Sequence, residues 1–128
     1  MRILLDTQIL LWLLITPERV SPSVIAEVEN TENDVLFSAV SIWEIAIKSA
    51  LGRDRLPADA EETLAHAVMT GFRELPVTGA LARHVANLPL HHRDPFDRLL
   101  VAQAICEPAI LYTVDAQLRA YSELVRVV

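Results

Sequence analysis

The sequence has one lysine, one cysteine and three glycines among 128 residues, and each shortage excludes something. A net charge of −6 with Lys48 as the sole lysine argues against a broad basic face that grips nucleic acid non-specifically. Any contact with nucleic acid is then local and carried by arginine, the better bidentate phosphate ligand. The lone Cys106 cannot form an internal disulfide. Among the apolar neighbours of "LLVAQAIC" it reads as a small core hydrophobe, and a reducing, cytoplasmic setting fits. A length of 128 residues suits one domain, residues 1–128, and few glycines with an apolar share of 52% point to a compact fold with much of its length in regular elements. No apolar run is long. Ile9–Ile15 falls short of the ~20 residues a spanning helix needs. Asp6 interrupts that segment and no small-residue cleavage site follows, so "MRILLDTQILLWLLITPE" reads as strand, turn and helix. There are no internal repeats, low-complexity tracts or linkers.

What is present alternates. "RILL" (2–5), "VLFS" (35–38), a weaker "FREL" (72–75), "AILYT" (109–113) and "LVRVV" (124–128) have strand character. Between them lie the helical patterns "TQILLWLLI", "SPSVIAEVEN", "SIWEIAIKSALG", "ADAEETLAHAVMTGF", "TGALARHVANL" and "DPFDRLLVAQAI". Strands alternating with helices predict an α/β fold whose central parallel sheet is covered on both faces. Ligands of such sheets bind beyond the carboxyl ends of the strands.

Four acids fall at that edge from separate parts of the chain. Asp6 ends the first strand, and Glu44 lies early in the helix after "VLFSAV". Asp97 lies in the first turn of the helix before "AILYT", and Asp115 directly follows that strand. Each has an ordinary explanation in helix capping. Asp94, Pro95 and Asp97 suit the first positions of a helix, and "SIWE" has the form of a capping box with Ser41 as cap and Glu44 reaching back. Asp6 and Asp115 stand where they can cap "TQILLWLL" and "AQLRAY". Capping alone does not explain their convergence. Two like charges 4 Å apart repel by roughly 4 kcal/mol at an effective dielectric of 20, so a cluster of acids calls for a cation. Hard oxygen donors suit Mg²⁺ or Mn²⁺ rather than zinc, and a carboxylate-held ion of that kind can activate water against a phosphodiester.

The stretches "LLDTQILLW", "SAVSIWEIAIK", "LHHRDPFDRLLVAQA" and "LYTVDAQL" resemble the motifs of PIN-domain ribonucleases, above all the VapC-type toxins of type II toxin–antitoxin modules. The resemblance extends over nearly the whole chain, and "DPFDRLLVAQA" is its most specific piece. It implies a three-layer α/β/α sandwich, Mg²⁺- or Mn²⁺-dependent cleavage of RNA, a small cognate VapB-type antitoxin, and a homodimer as in many members. By the same resemblance Asp6, Glu44, Asp97 and Asp115 are the catalytic and metal-holding acids. Asp94 matches the extra aspartate of the "DPFDR" subgroup and is assigned mainly to capping. Gln8 departs from the histidine expected after "DT", a position that is not an acid ligand.

Around these acids, Thr7 and Ser41 can orient a ligand or a water, and Arg98 reads as a structural ion pair or a phosphate contact. Arg53 and Arg55 in "LGRDRLP" form the best local basic patch for RNA. His91 and His92 read as exposed loop residues or phosphate contacts, and Trp12 and Trp43 as core or interface anchors. Other readings are a nuclease of the same fold acting outside a toxin module, on DNA or in RNA processing, and a catalytically idle interaction domain. A response-regulator-like receiver is disfavoured, because "LLDTQ" offers one acid where paired acids are needed and no lysine follows Lys48.

Overall fold

Alternation along the strands sets the two helical layers. In the computed structural model, which describes residues 1–51 and 59–128, five strands form one sheet: β1 (Arg2–Leu5), β2 (Asp34–Ser38), β3 (Arg73–Leu75), β4 (Ile110–Thr113) and β5 (Val125–Val127). Their order is β3-β2-β1-β4-β5, with every pairing parallel. Ile3, Leu5, Val35, Phe37 and Tyr112 face one side and Leu4, Leu36 and Leu111 the other, which is the period of two that a two-faced sheet requires.

The first face packs against α1 (Thr7–Ile15), α2 (Pro22–Glu29) and α4 (Ala60–Thr70), through Ile9, Leu10, Val24 and Ala67. The second packs against α6 (Pro95–Cys106) and the 3-10 helix Ala116–Tyr121, through Leu100, Val101, Ala104 and Leu118. The helix α3 (Ala39–Ala50) follows β2, and a short α5 (Gly79–His84) precedes α6. Burying each large side chain contributes about 1.5–3 kcal/mol. The result is the expected three-layer α/β/α sandwich.

Two features of this topology place the site. From β1 the chain moves outward to β2 and β3, then returns to β4 on the other side of β1, so a switch point lies between β1 and β4. The helices that follow or precede parallel strands run back against them, so α1, α3 and α6 all start at the carboxyl edge with their positive ends there.

Three sequence expectations change here. The cap of α3 lies three residues before the expected one: Ser38, not Ser41, accepts from Val40 N at 3.0 Å, and Ser41 sits fully buried within the helix. Cys106 is exposed, because it lies two residues beyond the inward-facing Ala104 and therefore about 200° around the helix. Of the two roles expected for Trp43, core or interface anchor, the core one is excluded, since the residue is 59% exposed with its ring edge-on to Phe96 at 5.3 Å, whereas Trp12 packs half-buried on the first core. Among the described residues no helix is long and apolar enough to cross a membrane.

Candidate functional site

At the switch point the strand ends and helix starts enclose a cleft of about 230 Å³. Asp6, Glu44, Asp97 and Asp115 all line it, together with Asp94, Thr7, Gln8 and Lys48. The four acids that the sequence scatters over 110 positions therefore share one pocket.

Asp6 is the cap of α1 and a wall of the cleft at once. Its Oδ1 accepts from Ile9 N at 2.8 Å, and its own N–H pairs with Tyr112 O at 3.0 Å, which ties the end of β1 to β4. The residue is 5% exposed. Burial is the main influence on its carboxyl and pushes its pKa above the usual range. Hydrogen bonds from the Thr113 hydroxyl and the N–H groups of Ile9 and Val114 work against that shift, and the Glu44 charge adds to it.

Glu44 projects from the second turn of α3 rather than from a cap position. Both of its oxygens are engaged: Oε1 accepts from Thr7 Oγ1 at 2.7 Å, and Oε2 pairs with Lys48 Nζ at 2.5 Å, one helical turn on. The Ser41 hydroxyl lies 2.9 Å from that of Thr7, so Ser41 supports the contact between α1 and α3 from inside the helix. Lys48 thus offsets one acid of the cluster. Among the described residues no lysine or arginine pairs with Asp6, Asp97 or Asp115.

Asp94 is the cap of α6, its Oδ1 accepting from Phe96 N at 2.8 Å and Asp97 N at 3.3 Å, with Pro95 in the first helical position. That start brings Asp97 into the cleft on the third helical residue. Among the described residues nothing donates a hydrogen bond to the Asp97 carboxylate. Burial, then the charges of Asp94, Asp6 and Glu44, push its pKa up to about 7, with His92 acting weakly the other way. Asp115 caps the 3-10 helix after β4, its Oδ1 accepting from Gln117 N at 2.9 Å.

One histidine belongs here although the sequence reading left it in solvent. His92 is half-buried, with Nε2 2.8 Å from Asp115 Oδ2 and 3.8 Å from Asp97 Oδ2. Twenty-three residues separate it from Asp115, so no local pattern announces the contact. His91 is exposed as expected. Among the described residues Arg98 makes no ion pair; its Nη2 donates to the carbonyls of Val85 and Leu88 and fastens α6 to the preceding turn. Arg53 and Arg55 lie outside the described residues.

Chemically the cleft is a set of hard oxygen donors carrying more negative charge than its one ammonium offsets. A divalent cation of the Mg²⁺ or Mn²⁺ class fits that donor set, and the open Asp97 carboxylate offers its least encumbered oxygens.

Comparison with known proteins agrees with the fold. Among solved structures, VapBC2 from Rickettsia felis bound to a DNA fragment from its promoter is similar at a TM-score of 0.66 and 15% identity, covering 100% of this chain and 98% of that one. FitAcB from Neisseria gonorrhoeae is similar at 0.54 and 22% identity, covering 90% and 88%. FitAB bound to an IR36 DNA fragment is similar at 0.58 and 23% identity, covering 98% and 93%. No curated protein matches the sequence. The PIN domain family model matches residues 3–124, and the chain belongs to the PIN-domain family.

Proposed function

We propose that this protein is a metal-dependent endoribonuclease and the toxin of a type II toxin–antitoxin module. The observation that carries the reading is the meeting of Asp6, Glu44, Asp97 and Asp115 in one cleft, with Asp97 half-buried among acids and, among the described residues, without a hydrogen-bond donor to its carboxylate. Membership of the PIN family supports a nuclease, and the likeness to VapBC2 and FitAB supports a toxin held by a small partner.

In this reading Asp6 and Asp97 hold Mg²⁺ or Mn²⁺ directly, Asp115 supports them, and Glu44 acts from a position fixed by Thr7 and Lys48. The ion, when bound, supplies a nucleophilic water and neutralises charge on the phosphodiester. The chain's own residues do the rest. The N-terminal ends of α1 and α6 add positive potential where a phosphate arrives. RNA as substrate rests on the resemblance to VapC-type toxins. A VapB-type antitoxin and a homodimer are proposed on the same ground.

The test is cleavage of single-stranded RNA by the purified protein with chelator, Mg²⁺ or Mn²⁺. Cleavage is expected only with the ions, and Asp97→Asn is expected to lower it by on the order of 100-fold or more while staying folded. Cleavage in chelator, or full activity in folded Asp97→Asn, overturns the reading. A short open reading frame beside the gene whose product binds this protein and stops cleavage is the expected partner.

A further inference from the structure

One imidazole, that of His92, lies against two acids of the cleft, and its environment decides what its ring nitrogens do. By distance alone His92, Asp97 and Asp115 offer three ligand atoms within 4.8 Å of one another, a set that an imidazole-preferring ion would suit. The far side of the ring argues otherwise. Nδ1 of His92 accepts the backbone N–H of Asp94 at 3.0 Å. An accepting ring nitrogen carries no proton, so the neutral imidazole bears its proton on Nε2. A protonated Nε2 has no in-plane lone pair for a metal, but it has a proton to give, and Asp115 Oδ2 lies 2.8 Å away.

We infer that His92 is a positioning residue: its Nε2–H donates to Asp115 and fixes that carboxylate at the cleft, and the ring is not a metal ligand. The surroundings hold the ring in place for this. The Tyr121 hydroxyl accepts the N–H groups of His91 at 3.1 Å and His92 at 2.8 Å, and the His91 ring stands edge-on to Tyr121 at 5.0 Å. Tyr121 ends the 3-10 helix that Asp115 caps. Loop and helix are therefore joined twice, through Tyr121 and through His92. Asp115 is held from both sides, by Gln117 N on Oδ1 and by His92 on Oδ2. Carboxylates that ligate ions are commonly oriented by such donors. The segment "HHRDPFD" thus does three things: His92 orients Asp115, Asp94 caps α6 while its N–H sets the His92 tautomer, and Asp97 enters the cleft.

The consequence for Asp115 rests on the proposed nuclease function, whereas the tautomer does not, and the experiment separates them. In ¹⁵N NMR of the metal-free protein, His92 Nδ1 should show the shift of an unprotonated ring nitrogen and Nε2 that of a protonated one. The reverse assignment overturns the inference. Mn²⁺ titration followed by electron paramagnetic resonance then reads the consequence. His92→Gln places an amide N–H near the position of Nε2–H and should bind Mn²⁺ within about twofold of the unaltered protein, while His92→Ala should bind it about 10-fold more weakly. Binding by His92→Gln as weak as by His92→Ala, or a ¹⁴N coupling from a directly bound imidazole, overturns the positioning role. An unaltered protein that shows the expected tautomer yet takes up no Mn²⁺ contradicts the nuclease reading and leaves the hydrogen bond standing.

Discussion

The Thr7 hydroxyl donates to Glu44 Oε1 at 2.7 Å, joining the first turn of α1 to the second turn of α3 across 37 residues of sequence. Both residues are buried. The contact explains why a glutamate stands on an otherwise apolar stretch of α3: one oxygen is satisfied by Thr7 and the other by Lys48.

Thr7→Val keeps the shape and removes the donor, so it leaves a buried carboxylate oxygen without a partner. The expected loss is about 1–3 kcal/mol of unfolding free energy in urea, with Thr7→Ser closer to the unaltered protein. A Thr7→Val variant as stable as the original contradicts this account of Glu44.

Asp97 gives the metal-free protein an unusual dependence on pH. Its carboxyl titrates at about 7 when folded, chiefly through burial, and near 4 in the unfolded chain. Between those values the folded state binds more protons, so stability falls as pH rises through the window and the contribution is complete only below about 4. The raised pKa of Asp6 acts in the same direction. Asp34, lowered by its hydrogen bond with Arg73, has the opposite sign but acts only below about 4. In chelator, the melting temperature should therefore rise from about pH 7.5 to about pH 5. Asp97→Asn should flatten that slope, and Mn²⁺ should flatten it too, since the ion takes the proton's place. A melting temperature that falls over the same interval contradicts the clustering of charge.

The two aspartates around Pro95 divide their work, and the division can be measured. Asp94→Asn retains an oxygen for Phe96 N and should match the original stability within about 0.5 kcal/mol, whereas Asp94→Ala should lose about 1 kcal/mol. Thermal or urea unfolding distinguishes the two. Equal losses would mean that the charge of Asp94, not its capping oxygen, is what the fold uses.

Much of this architecture was legible in the sequence, and the failures have physical causes. Strand periodicity is a local property, so β1 and β4 were read to within a residue and with them the acids that follow each strand. The start of α6 was legible because Asp94, Pro95 and Asp97 form a local cap. The start of α3 was not, since Ser38 and Ser41 both suit a cap and only the tertiary contact with Thr7 claims Ser41. His92 was misplaced for a related reason: its environment is made by Asp115 and Tyr121, more than twenty residues away. For Arg98 its place beside Asp97 suggests an ion pair or a phosphate contact, but the adjoining turn presents carbonyls to its Nη2.

Cys106 is the case where a signal was present and composition outweighed it. Its apolar neighbours suggested burial, while the helical period from Ala104 already turned it outward. An exposed thiol should react with a disulfide reagent in the native protein at a rate close to that in denaturant. Protection until unfolding would restore the buried reading.

The central claim is that the clustered carboxylates hold a divalent ion. Diffraction from crystals soaked in Mn²⁺, recorded for anomalous scattering, tests it most directly. The account predicts a peak within about 2.0–2.6 Å of carboxylate oxygens of Asp6 and Asp97, with Asp115 beside it. A fully soaked crystal with no peak in this cleft, or one bound elsewhere on the protein, contradicts it.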